Sequence, residues 1–106
     1  MHTTNNFMEL VSNFIIKHQL QADASIRYMD LVSEVGELGK EIIKSTNYGK
    51  KDFSMTAQMA DELGDCLFSL FALCHELNID AQEALNHSLF KYEQRFAYKG
   101  DISSDQ

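Results

Sequence analysis

Proline is absent from the 106 residues, and the five glycines are scattered rather than clustered. The strongest helix breaker is therefore missing, and no stretch reads as a flexible linker or a low-complexity segment. Long apolar runs are missing too. No 20-residue hydrophobic segment exists to span a bilayer, and the N-terminus lacks the basic and apolar blocks of a signal peptide, so the expectation is a soluble, cytoplasmic chain with no membrane partner. Positive charge is in short supply: nine Lys and Arg stand against sixteen Asp and Glu, a formal charge of −7. That balance argues against a nucleic acid polymer or an anionic membrane as partner. It leaves room for a polyphosphate ligand approached through a divalent cation. Cysteine occurs twice. Cys66 and Cys74 lie eight residues apart in one helical run and point roughly 80° apart, so they cannot bridge each other there and read as buried, reduced thiols.

With 44% hydrophobic residues the chain has the material for one core, and residues 1–106 are expected to form a single domain with residues 1–4 and 99–106 frayed. Strand-like alternation is absent. Phe7, Leu10, Val11, Phe14 and Ile15 recur at helical spacing within a first helix from about Asn5 to Gln19. A second helix, capped by Asp23 or Ser25, runs to about Ser45, and residues 46–52 form a basic loop. Ser54 is the expected N-cap of a third helix ending near Leu77. Asp80, with Glu83 three residues on, opens a fourth that reaches about Ala97. The fold class is thus all-α, a four-helix, bundle-like domain.

Two segments carry unusual charge. In Leu31 to Ile43, LVSEVGELGKEII, the residues Glu34, Glu37 and Glu41 fall within about a 60° arc of a helix. Beside them runs the apolar stripe Leu31, Val35, Leu38 and Ile42, so the acids border the core. In Ala60 to Leu73, ADELGDCLFSLFAL, Glu62, Asp65 and Ser69 repeat the arrangement, with Glu76 farther along the same strip. A single Glu-x-x-Glu is ordinarily a solvated helix face. Two such pairs, each beside an apolar stripe and each with helix-interior glycine, could instead converge. Carboxylates about 6 Å apart at an effective dielectric of about 20 cost on the order of 3 kcal/mol per pair, which calls for a cation among them. Hard oxygen donors select Mg²⁺, with Mn²⁺ as the alternative. A di-iron site is set aside, because none of the four histidines has an acid three residues before it. Gly36, Gly39 and Gly64 read equally as close helix packing or as space for a ligand. Lys91 and Arg95 share one side of the fourth helix, suited to phosphate oxygens or simply to solvent.

These residues resemble a known family. VSEVGELGKEI followed by ADELGDCLFSLFAL is similar to the MazG-like branch of the all-α nucleoside triphosphate pyrophosphohydrolases, marked by ExxE, a gap, and ExxD. Here 62 − 37 = 25 leaves 24 residues between the pairs. The ending KYEQRF, Lys91 to Phe96, matches the family's K-aromatic-x-x-R-aromatic pattern. The resemblance implies a Mg²⁺-dependent enzyme that splits (d)NTPs into a monophosphate and pyrophosphate, a nucleotide-pool house-cleaning hydrolase. It assigns Glu34, Glu37, Glu62 and Asp65 to the metal, Glu34 or Glu37 to activation of water, and Lys91 and Arg95 to phosphate. Relatives often carry Asn where this chain has Leu89, and some carry an aromatic at the Ser69 position, so contacts to sugar and base differ. The alternatives are a dUTP-specialised pyrophosphatase and a non-catalytic helical module that binds a partner.

The third helix also bears on assembly. Its apolar arc from Leu73 through Leu63, Leu67 and Phe71 towards Phe68 spans roughly 220°, against roughly 100° for a helix packed on one side. A second copy is expected to cover Leu67, Phe68 and Phe71. The resemblance implies the same, a homo-oligomer that is a dimer or a dimer of dimers.

Overall fold

A computed structural model describes residues 6–103 as four helices, with no strand among the described residues: α1 (Phe7–Lys17), α2 (Ala24–Ser45), α3 (Ala57–Leu77) and α4 (Ala81–Lys99). Residues 1–4, expected to fray, and residues 104–106 lie outside the described residues. The Asn6 side chain accepts the Glu9 N–H and Asp80 accepts that of Glu83, each at 3.0 Å, satisfying donors that a helix start leaves open. The third helix begins later than Ser54 indicates. Thr56 is its N-cap, accepting from the Met59 N–H at 3.3 Å. Two hydroxyls two residues apart satisfy the same rule, and position alone does not choose between them. The fourth helix runs two residues past Ala97 and stops at Gly100, whose φ of +80° is the left-handed value glycine adopts without penalty.

The strongest packing is α2 along α3, with α1 laid across α3. On that second contact Phe7 meets Phe71 at 6.0 Å between ring centroids, and Phe14 meets Phe68 edge-on at 5.8 Å. α1 thus half-covers Phe68 and Phe71 and leaves Leu67 the most exposed of the three residues for which a second copy is expected. The core is thin. Ile15, Met59, Cys66 and Ala72 are its buried apolar residues, and α4 buries none. That helix meets the others chiefly at its first turns, where the Ala81 N–H points at the Met8 sulfur and Leu85 shares a hollow with Phe7 and Phe71. The radius of gyration is 17.2 Å, whereas a compact domain of about 100 residues has about 13 Å. The bundle is therefore open in a single protomer. Gly36, Gly39 and Gly64 fit this openness, since a Cβ at any of them would meet nothing within 4 Å. Close packing inside the protomer is not their reason.

One polar tie holds the helices in place. Arg27, buried in the first turn of α2, pairs through Nε with Glu76 of α3 at 3.3 Å and donates from Nη2 to the Leu20 carbonyl. The same Glu76 oxygen accepts the Ala22 N–H at 3.1 Å. A single pair thus fixes the link between α1 and α2 against the end of α3. Breaking one side of a buried ion pair leaves the other charge stranded, so Arg27→Met is expected to cost about 3 kcal/mol by urea denaturation. The double variant Arg27→Met/Glu76→Leu should recover most of it. A single-variant loss below about 1 kcal/mol would show that the pair is not what anchors the link.

Candidate metal and active site

Pairing α2 with α3 brings three of the acids singled out above together. One carboxylate oxygen each from Glu34, Glu62 and Asp65 lies within 4.8 Å of the others. Glu34 and Glu62 are half-buried and Asp65 is exposed, so the cluster is at the rim of the helix seam with one side open. Gln58, one turn before Glu62 on α3, donates its amide to a Glu62 oxygen at 3.0 Å. Beneath the acids lies Cys66, reduced and buried. Burial pushes its thiol up from the ordinary value, and the charges of Glu34, Asp65 and Glu62 push it further. Cys74, also reduced, is likewise raised by burial.

Electrostatics single out Glu34. Its carboxyl is raised above the ordinary value by burial first, then by Asp65, Glu62, Glu37 and Asp30. Glu37 stands one turn along α2, exposed and outside the close trio, yet near enough for its charge to act on Glu34. Glu41, third in the α2 strip, turns to its own helix and pairs with Lys44 at 3.6 Å. Ser69 is buried within α3. Glu76, last on the α3 strip, is spent on Arg27.

Lys91 and Arg95 sit on a helix that has little contact with α2 and α3 in one protomer. Both ride on α4, Lys91 exposed and Arg95 half-buried, and among the described residues neither pairs with a carboxylate. Arg95 lies over the Tyr92 ring at 5.8 Å and donates to the Ile102 carbonyl at 3.0 Å. Two features escaped the sequence. Arg27 continues the apolar stripe of α2 one turn before Leu31, and a charge on an apolar stripe was the available signal for a buried partner. Gln58 gave the ordinary i, i+4 signal of a surface pair, with nothing to mark Glu62 as its acceptor.

The MazG nucleotide pyrophosphohydrolase domain matches residues 24–98, from the start of α2 almost to the end of α4. The chain belongs to this family. The match takes in both acid pairs and the Lys91–Arg95 face. The uncharacterized protein YpjD of Bacillus subtilis (strain 168) is 35% identical over 68 residues, 61% of this chain. The aligned stretch spans 60% of that relative's length. No solved structure matches.

The donor set fits a divalent cation. Octahedral Mg²⁺ at about 2.1 Å from its oxygens sets ligand pairs about 2.9 to 4.2 Å apart. Oxygens within 4.8 Å of one another on three rotatable side chains can draw in around a cation to that geometry. All three donors are carboxylate oxygens, the hard set that suits Mg²⁺ or Mn²⁺.

Proposed function

We propose that the protein is a cytoplasmic, Mg²⁺-dependent hydrolase that cleaves (d)NTPs between the α and β phosphates, serving to clear unwanted nucleotides. The observation that carries this is the convergence of Glu34, Glu62 and Asp65 from two helices, in a chain whose family hydrolyses nucleotides. In the reaction a water oxygen joins the α-phosphorus, the bond to the bridging oxygen breaks, and pyrophosphate leaves. The water's proton passes to a carboxylate. Glu34, Glu62 and Asp65 hold the cation, which when bound supplies charge neutralisation and Lewis acidity. Glu37, beside the trio and open to solvent, completes the set as fourth ligand or as the base for water, the latter shared as a candidate role with Glu34. Lys91 and Arg95 take the phosphate oxygens, with Arg95 free to offer the donors it does not give to Ile102.

The active form is a homo-oligomer, a dimer or dimer of dimers, a reading supported by the slight contact of α4 with the acid-bearing helices in one protomer. Incubating the protein with a panel of canonical and modified nucleotides and Mg²⁺, and resolving the products, tests the activity. Monophosphate and pyrophosphate in equal amounts are expected. Cleavage of dUTP alone would favour the specialised enzyme, and no turnover on any nucleotide would overturn the reading.

Metal and pH should act together on stability. Glu34 in the folded chain holds its proton more tightly than in the unfolded chain, so its contribution is complete below the unfolded value and is lost as pH rises through the raised folded one. Neutral pH without metal is therefore the unfavourable condition. At pH 7, Mg²⁺ at about a hundred times its Kd is expected to add about 2.7 kcal/mol over EDTA, roughly 10 °C in Tm. The difference should shrink as pH falls and Glu34 takes up its proton. A melting temperature that EDTA leaves unchanged at pH 7 would rule out a divalent site of useful affinity.

A further inference from the structure

We propose that Gln58 is a positioning residue that holds Glu62 as a one-oxygen ligand and thereby favours Mg²⁺ over Ca²⁺, a role that rests on the metal site proposed above. Gln58 is the second residue of α3 and Glu62 the sixth, so one helical turn sets the amide directly over the carboxylate. The contact, Nε2 to Oε2 at 3.0 Å, has normal hydrogen-bond length. Its direction is forced, because an ionised carboxylate only accepts and the amide nitrogen must face it. Among the described residues, Glu62 is the one member of the trio whose carboxylate receives a side-chain hydrogen bond.

The consequence lies in how many oxygens Glu62 can give. With Oε2 tied to Gln58, the other oxygen turns freely towards a cation while bidentate capture is opposed. Mg²⁺ demands near-ideal octahedral geometry from single oxygens, whereas Ca²⁺ accepts six to eight ligands and takes bidentate carboxylates readily. A carboxylate held by an outer partner is also fixed before the ion arrives, and losing such a partner typically weakens metal affinity 10- to 100-fold. The position is exposed, so substituting it is expected to leave the helix seam intact.

The test is calorimetric titration of the full chain with Mg²⁺ and separately with Ca²⁺, with no nucleotide present. Gln58→Met keeps the length and removes the donor, and Gln58→Ala serves as a second variant. The control is Gln82→Met, which breaks an identical 3.0 Å amide contact to Asn86 on α4 far from the acids in sequence. We expect both Gln58 variants to weaken Mg²⁺ binding about tenfold, with Ca²⁺ weakened several-fold less, and the control to match wild type. An unchanged ratio of Mg²⁺ to Ca²⁺ affinity in the Gln58 variants would overturn the role of Gln58 while leaving the metal site standing. A wild-type chain that binds neither ion would overturn both.

Discussion

Glu37→Gln and Asp65→Asn are each expected to lower turnover by at least roughly 100-fold, about 2.7 kcal/mol of transition-state stabilisation, with helical content unchanged. Each substitution keeps the side-chain length and removes one negative charge. At Asp65 the lost charge is one of the three that converge from α2 and α3. At Glu37 it belongs to the carboxylate nearest the trio that is neither buried nor engaged by another residue among those described. The comparison that gives the experiment its meaning is Glu41→Gln. Glu41 shares the α2 strip, but it is turned to Lys44 on its own helix, so its loss should cost little. Steady-state rates with saturating Mg²⁺ distinguish the cases, and circular dichroism checks the fold. Equal losses at Glu41 and Glu37 would mean that a general acidity of α2, rather than a defined site, supports activity.

The acid cluster was legible because helical periodicity is a property of the chain alone. A spacing of three places Glu34 and Glu37, and separately Glu62 and Asp65, on one face whatever the tertiary packing. That the two faces meet needed only α2 beside α3, which a 24-residue separation and the link over residues 46–56 allow. What the sequence did not reveal depends on partners distant in the chain. Arg27 and Glu76 find each other across 49 residues, and nothing in either local pattern names the other. The same limit applies to α1. Its apolar face was evident, but its choice of Phe68 and Phe71 as a bed, through Phe14 and Phe7, is a tertiary outcome. On α4, Leu85 and Leu89 lie one turn apart on an apolar face, and both remain about half exposed. A pattern can say that a face wants burial without saying which surface buries it.

That unburied surface leads to the largest structural effect expected, dissociation of an obligate oligomer. The chain exposes 8078 Å², whereas a compact monomer of 12.1 kDa should expose about 6000 Å². The excess, about 2000 Å², exceeds the roughly 800 Å² per partner that a stable interface requires. Part of that surface lies between α1 and α3, where Phe7, Leu10, Val11, Leu67, Phe68 and Phe71 line an apolar hollow together with Gly64. A neighbouring hollow adds Phe14. Water over such a surface is unfavourable by about 25 cal/mol per Å² of apolar area, so an identical copy presenting the same face through a two-fold axis gains on both sides at once. Leu67→Glu is the decisive variant, because Leu67 is 44% exposed whereas Phe71 packs against Phe7 of α1. Phe71→Glu would also dissociate the assembly, but by unseating α1. Light scattering at micromolar concentration should give the wild type a mass of at least twice 12.1 kDa, and Leu67→Glu should fall to the monomer or unfold and lose activity with it. A folded, active wild type at 12.1 kDa would defeat the argument, since one protomer would then hold its apolar face in water and still bring Lys91 and Arg95 to the acids unaided.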